Sequence, residues 1–307
     1  MSAGAPEYST DGSVEFVLGP DTAPVAIPST ARGAVIIPAH DEAGVIARTL
    51  SGLAPLTAAE VEVIVVCNGC TDDTAAIARR FSGVTVLELA LASKTAAMNL
   101  GDETATQWPR LYLDGDIEIP AESVVAVFDA LAQPGVLAAR ARYVYDASCA
   151  SSVVRAYHRA RSRVPAPPRR LWGAGGYATN EQGHRRFGQF PATIGDDSWF
   201  DAQFTEDEKR VVPTAPMRVR TPRRAVDMVA VLARRRRGAL ELGLASTGAS
   251  RGRGLLRAIR GPRSAIDAWW YACLTLAARW RASRALRRGD RTWERDVSSR
   301  TTHGGTE

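Results

Sequence analysis

What most constrains this chain is an alternation, from residue 34 onward, of short β-branched runs with segments of helical spacing. Ala34–Pro38 (AVIIP) is an apolar run ended by proline, the pattern of a strand buried on both faces. Glu42–Leu53 follows with Val45, Ile46, Leu50 and Leu53 at helical intervals. Val61–Val66 predicts a second strand, Asp72–Phe81 a second helix and Thr85–Leu89 a third strand. Lys94–Gly101 opens a third helix, and Arg110–Leu113 is a fourth strand. Elements in this order imply an α/β fold, a mostly parallel sheet flanked by helices and joined by right-handed crossovers. Sheets of that kind take ligands beyond the carboxyl ends of their strands.

The flanking regions are less regular. Residues 1–31 are rich in Gly, Pro, Ser and Thr and read as a flexible arm, with one short strand at Val14–Leu18. Beyond the fourth strand, a helix is expected at Ala121–Ala132, a strand at Val136–Tyr145 and a basic helix at Ser151–Arg163. Pro165–Pro168 breaks the chain, Gly173–Gly176 makes a flexible turn, and two or three arginine-studded helices follow from Thr221. The division expected is an arm over 1–31, an α/β domain over 32–240 and a helical C-terminal extension over 241–307.

Composition removes several classes. With 45% hydrophobic and 23% charged residues over 307 positions, the chain suits a sizeable core and not disorder. Four scattered cysteines do not make a disulfide framework. No apolar run reaches the ~18 residues of a spanning helix, and no leader pattern opens the chain. A reduced, cytoplasmic protein is the expectation. The net charge of +6 hides a division: residues 1–130 carry 6 Lys and Arg against 18 Asp and Glu, and residues 131–307 carry 33 against 15. Only Lys94 and Lys209 are lysines, so the rear half is basic through arginine. That balance is compatible with nucleic acid, an anionic membrane or a phosphorylated substrate.

Leu111–Asp116 (LYLDGD) places two carboxylates one residue apart at a strand end. In an extended segment both point the same way, and Gly115 permits close approach of a partner. Hard oxygen ligands in this position suit magnesium or manganese held partly by substrate phosphates. Asp-Gly-Asp alone is common as an acidic turn, so its neighbours decide. Pro38-Ala39-His40-Asp41-Glu42 follows the first strand, Val66–Thr74 (VCNGCTDDT) follows the second, and Ser93–Gly101 (SKTAAMNLG) precedes the fourth.

In this order and spacing the motifs resemble family 2 glycosyltransferases of the GT-A fold, over roughly residues 33–240. The resemblance implies that Pro38, His40, Asp41 and Glu42 form the first nucleotide-contacting loop, with Asp41 or Glu42 near the base or ribose. Asn68 falls where many relatives carry an aspartate facing uracil, and Cys67 takes the acidic place before it. This departure weakens a uracil assignment. Lys94 and Asn99 match the segment beneath the nucleotide, and Asp114 and Asp116 match the D-x-D pair, Asp116 being the metal ligand. Ile194–Trp199 (IGDDSW) resembles the acidic pair supplying the catalytic base of inverting members, which makes Asp197 the base and Asp196 the fallback. A sugar hydroxyl is a poor nucleophile and needs such a carboxylate. The bland account of the pair is a cap on a helix beginning at Ser198, which is compatible with catalysis. Arg234–Gly238 (RRRRG) lies where relatives carry an arginine that closes over the diphosphate. Four consecutive arginines cannot share one helix face, with neighbours ~100° apart, and Arg237 alone is assigned to the site.

Other signals carry less. Cys67-x-x-Cys70 has no second pair to complete a zinc site, His184 reads as a surface histidine, and Gly173–Gly176 is no dinucleotide fingerprint. In the tail, Ile266, Trp269, Trp270, Cys273, Leu276, Ala277 and Trp280 recur at helical spacing among arginines. Two readings stand: tryptophans packed on the catalytic domain or a second subunit, or an apolar face in an anionic membrane interface.

The expectation is therefore a metal-dependent, inverting transferase that moves a sugar from a nucleotide-diphosphate donor to a lipid-linked, glycan or small-molecule hydroxyl. It would be cytoplasmic, with peripheral contact at the inner membrane face through its last helix. The rivals are a catalytically idle, nucleotide-sugar-binding relative, an arginine-driven nucleic-acid binder lacking a recognisable module, and a nucleotidyltransferase lacking a Gly-rich activation loop.

Overall fold

The computed structural model describes residues 32–57, 59–164, 169–243, 248–257 and 259–287. The arm predicted over 1–31 and the Pro165–Pro168 break lie outside the described residues. The first half runs β1 (Arg32–Ala39), α1 (Ile46–Thr57), β2 (Glu60–Asn68), α2 (Thr74–Ala78), β3 (Val84–Leu89), α3 (Lys94–Thr104), β4 (Arg110–Leu113) and α4 (Ala121–Leu131). The second half runs β5 (Ala138–Asp146), α5 (Ser152–Arg163), β6 (Gly176–Thr179), α6 (Glu181–His184), α7 (Asp196–Asp201), β7 (Lys209–Arg220), α8 (Ala225–Glu241), α9 (Gly248–Arg257) and α10 (Pro262–Arg287).

The described residues form one seven-stranded sheet in the order β3-β2-β1-β4-β6-β5-β7. β1 pairs parallel with β2 and β4, β2 with β3, and β5 with β7. β6 runs antiparallel to both of its neighbours. The sheet is thus α/β and mostly parallel, as the alternation predicts.

Both faces are covered, which explains the unbroken apolar runs. Along β1, Val35, Ile37 and Ala39 enter one core with Leu50, Leu53, Val127 and Leu131 of α1 and α4. Ala34 and Ile36 enter the opposite core with Met98 of α3 and the aromatic side chains of Tyr177, Phe190 and Phe200. Period-two alternation therefore sorts one strand into two cores.

The sequence reading missed β6 and β7. Gly176–Thr179 is short, and Gly173–Gly176 had been read as a turn alone; the turn in fact delivers the chain into β6. β7 carries Pro213 and Pro216, which argue against a central strand. It lies at the sheet's edge, where prolines are tolerated, and its pairing with β5 shifts register between Ala141 and Tyr143.

α10 packs on α5 and α8. Asp267, fully buried, accepts from Arg159 at 2.7 Å and Arg163 at 2.9 Å, and Tyr271 stacks on Tyr157 with centroids 5.0 Å apart. Two of the tryptophans do not pack on the catalytic domain: Trp269 and Trp280 are 58% and 65% exposed, and the inward face is Ala268, Tyr271, Leu274, Ala278 and Ala282. No described helix is long and apolar enough to cross a membrane.

Candidate active site

The carboxyl ends of β1, β2 and β4 open onto a cavity of about 840 Å³. Pro38, His40, Glu42 and Asn68 line its sheet edge, and Lys94, Asp114, Asp116, Asp196 and Asp197 its floor. Three predicted residues, Asp41, Asn99 and Arg237, are not on its wall. Asp41 sits at φ 47°, a left-handed conformation that aspartate tolerates better than most. Its carboxylate accepts the Thr71 N–H at 2.6 Å, which ties the loop after β1 to the loop after β2. Asn99 clamps the Phe190 backbone, donating at 3.0 Å and accepting at 2.8 Å. Asp41 and Asn99 both hold loops in place.

Buried Asn68 has a similar double use. Its Nδ2 donates to the Ala39 carbonyl at 2.8 Å, and its own carbonyl oxygen lies 2.6 Å from His40 Nδ1. His40, Asp41 and Cys70 are the one group of three metal-ligating side chains converging within 4.8 Å among the described residues. Their atoms take part in the loop's own bonds, as when Cys70 Sγ accepts the Asp41 N–H at 3.4 Å. Cys67 and Cys70 interact directly: a hydrogen bond between them holds the Cys70 thiol down to about 7.

The Asp114-Gly115-Asp116 turn is built from several sides. The Gly115 carbonyl accepts from Thr49 of α1 at 2.8 Å, and a Cβ at Gly115 would stand 2.9 Å from Glu42 Oε2. Glycine is thus required so that a third carboxylate can lie against the turn. The Asp114 N–H donates to the Gly175 carbonyl at 2.7 Å. Gly175 has φ +72°, and a Cβ there would collide with Ile117. Glu42, Asp114 and Asp116 offer only carboxylate oxygens, the donors a hard divalent cation takes, although their ligand atoms do not all converge within 4.8 Å of one another.

Lys94 joins the two acidic motifs. Its ammonium lies 2.6 Å from Asp114 Oδ1 and 2.9 Å from Asp196 Oδ2. Burial works to lower its pKa, but the two carboxylates outweigh burial and hold it well above the ordinary lysine range. Asp196 is 5% exposed and also accepts from the Tyr177 hydroxyl at 2.7 Å. Burial pushes the Asp196 carboxyl up against the opposing pull of Lys94, with Asp197 and Asp114 adding to the rise. Asp197 is more open. Its Oδ2 accepts the Gly173 N–H at 2.7 Å and its Oδ1 the Ser198 N–H at 2.6 Å, so the carboxylate is oriented toward the cavity wall it lines. The helix expected from Ser198 begins two residues earlier, at Asp196.

The far wall is formed by α5, α8 and α10 and by the segment before β6. Arg234, Arg235 and Arg236 line the cavity, and buried Arg237, the one arginine chosen from sequence, does not. Helical geometry turns the run so that its first three members, not its last, reach the site. Tyr145, Tyr177, Arg161, Arg170 and Trp172 also line it and were missed. Trp172, next to the Gly173–Gly176 turn, carried a weak sequence signal; the others carried none.

This is the geometry of a nucleotide-binding α/β sheet with acidic groups at its strand ends, and comparison identifies its class. Residues 34–183 match the profile of Glycosyl transferase family 2. A mannosyltransferase from Pyrobaculum calidifontis, solved with GDP-Man and Mn2+, superposes with a TM-score of 0.53 at 20% identity, over 87% of this chain and 78% of that one. Glucosyl-3-phosphoglycerate synthase from Mycobacterium tuberculosis, solved with Mn2+, UDP and glucosyl-3-phosphoglycerate, gives 0.51 at 20% identity, over 71% and 82%. No curated protein sequence matches the chain. Residues 34–183 thus carry the family 2 glycosyltransferase domain, and the chain has the GT-A fold.

Proposed function

We propose that this protein transfers a sugar from a nucleotide-diphosphate sugar to a hydroxyl acceptor, with inversion and with Asp197 as general base. One observation carries this reading: the nucleotide-facing strand ends, the Asp114-Gly115-Asp116 turn and the Asp196-Asp197 pair share a single cavity. In the step proposed, the acceptor oxygen attacks the anomeric carbon from the face opposite the diphosphate. Its proton passes to Asp197, the new C–O bond forms, and the bond to the diphosphate breaks with its electron pair leaving on the phosphate oxygen. Asp116, with Asp114, would hold a manganese or magnesium ion, which when bound would offset charge on the leaving diphosphate. The two similar structures, solved with Mn2+ and a guanosine or uridine nucleotide, support a donor of this kind. Asp197 is preferred over Asp196 because Asp196 is buried and already engaged by Lys94 and Tyr177.

The test is a pair of variants assayed for nucleotide binding and for turnover. Asp197→Asn should keep donor affinity and lose transfer by roughly 10²–10⁴-fold, the usual reach of general-base catalysis. Asp116→Ala should lose metal-dependent nucleotide binding. Full turnover in Asp116→Ala, or lost donor binding in Asp197→Asn, would overturn the roles assigned.

The reading extends to a cytoplasmic location with peripheral membrane contact through α10. Ile266, Trp269, Leu276 and Trp280 are all more than half exposed on its outer side. Between residues 259 and 287 the one acidic side chain, Asp267, is fully buried, so arginine alone sets the charge of this surface. Tryptophan and aliphatic groups flanked by arginine suit an anionic lipid interface. The protein should co-sediment with phosphatidylglycerol vesicles and not with phosphatidylcholine vesicles, and Trp269→Ser with Trp280→Ser should abolish this. Equal recovery with both lipids would defeat the idea.

A further inference from the structure

The cavity has two electrostatic halves, and the proposed transfer chemistry uses only the acidic one. Opposite the strand ends, three arginines from three different segments gather around two neighbouring phenols, Tyr143 and Tyr145. Arg235 of α8 donates to the Tyr145 hydroxyl at 3.5 Å. Arg170 hydrogen-bonds Tyr143, whose ring meets that of Tyr145 at 5.3 Å, and its guanidinium lies over Trp172 at 4.6 Å from the centroid. Arg161 of α5 lines the same wall and adds its charge at Tyr145. Among the described residues, none of the three forms a salt bridge with a carboxylate. Asp197 acts on Arg235 only through space and without a salt bridge, so the three gathered guanidinium groups keep capacity for an anionic ligand.

Two titratable groups report the same positive field. Burial pushes the Tyr145 hydroxyl up, yet Arg235, Arg170 and Arg161 together bring it below its ordinary value. His158, whose ring lies 4.7 Å from that of Tyr145, is pushed down to about 4 by burial and then by Arg235 and Arg161.

We propose that Arg161, Arg170 and Arg235 form an anion subsite around Tyr145 that holds the phosphate of a phosphorylated acceptor beside Asp197. The inference rests on the transferase reading and names its acceptor class. Position argues for acceptor rather than donor. The Tyr145 hydroxyl donates to the Gly173 carbonyl at 3.1 Å, and the Gly173 N–H donates to Asp197. The cluster is therefore one peptide unit from the group that must touch the acceptor. The donor's nucleotide side is at the strand ends, where Lys94 and the acidic turn lie. The phosphate remains on the acceptor throughout: only the attacking hydroxyl changes, losing its proton to Asp197 as the glycosidic bond forms. Guanidinium forks match phosphate geometry bidentately, and Trp172 fixes the plane of one of them.

The test uses the full chain and inorganic phosphate as probe, titrated calorimetrically with the donor site saturated by magnesium and a bound nucleoside diphosphate. Saturable phosphate binding is expected, weakened at least tenfold in Arg235→Gln, partly recovered in Arg235→Lys, and accompanied by a nucleotide Kd within twofold of native. Arg161→Gln should reproduce the loss, so the outcome does not hang on one variant's folding. Competition by glycerol 3-phosphate but not glycerol supports a soluble phosphorylated acceptor. Competition by vesicles carrying phosphatidylglycerol, which has both a phosphate and free hydroxyls, but not by diacylglycerol supports a lipid headgroup. No saturable phosphate binding in the native protein overturns the proposal, as does unchanged affinity in both glutamine variants. Nucleotide affinity falling in step with phosphate affinity also overturns it, by returning the cluster to the donor diphosphate. Phosphate binding with no nucleotide binding at all supports the anion subsite and sinks the transferase reading beneath it.

Discussion

Lys94 is the side chain on which the site's charge balance turns. It is the one lysine in the first half of the chain, and it neutralises Asp114 and Asp196 at once. Removing one partner of a buried ion pair leaves the other charge uncompensated, which costs roughly 3–5 kcal/mol. Lys94→Met should therefore lower the denaturant midpoint sharply, and Lys94→Arg should recover part of the loss. An unchanged midpoint in Lys94→Met would show the ion pairs to be energetically idle. At this scale the sequence is uneven. Asp114, Asp116, Asp196 and Asp197 stand out because carboxylates cluster at short spacing. The link that Lys94 makes between them depends on a contact between segments far apart in the chain, and no local pattern announces such a contact. Tyr177, which donates to Asp196, was invisible for the same reason.

Among elements, α5 holds the clearest prediction. His158 packs between Tyr145 and Tyr157, and its two ring nitrogens make no hydrogen bond within the described protein. Burial, then Arg235 and Arg161, depress it to about 4, so the neutral ring is the form the fold favours. Between pH 6.5 and 4 the unfolded chain binds a proton that the folded one refuses, so stability falls as pH falls through that window. The contribution is about 3 kcal/mol, fully present above pH 6.5. His158→Phe should flatten this part of the pH–stability curve while leaving the rest unchanged; parallel curves for native and variant would contradict it. The first four strands were legible because each is a short apolar run between turn residues, β-branched in β1 to β3. β6 and β7 were not. One is four residues beginning at glycine, and the other is proline-bearing, tolerated only by its place at the edge. Edge position is a property of the finished sheet, which a local reading does not contain.

At the scale of the molecule, α10 is fastened by Asp267. Two arginines override the effect of burial and hold this carboxyl below its ordinary range, so its stabilisation is present above about pH 3.8 and is lost as pH falls further. Asp267→Asn should cost roughly 2 kcal/mol, less than the ~3–5 of a fully buried pair, because Arg159 and Arg163 remain 31% and 33% exposed. The variant should be cut faster by trypsin near residues 259–287; native-like resistance would mean the stack of Tyr157 on Tyr271 suffices. The tail's helical spacing was plain from sequence. Which side faced inward was not, since Trp269 and Tyr271 are both aromatic and only the partner surface separates them.

That partner surface has a further consequence. Tyr271, Ala272 and Thr275 of α10 form part of the cavity wall, although the family match ends at residue 183. A transferase has to keep bulk water, present at far higher concentration than any sugar or phosphate, from serving as its acceptor. On the transfer reading, that duty would fall partly on a helix beyond both the matched segment and the Asp196-Asp197 pair. If the proposed transfer holds, loosening α10 should raise donor hydrolysis relative to transfer. The last helix would then serve fidelity more than rate.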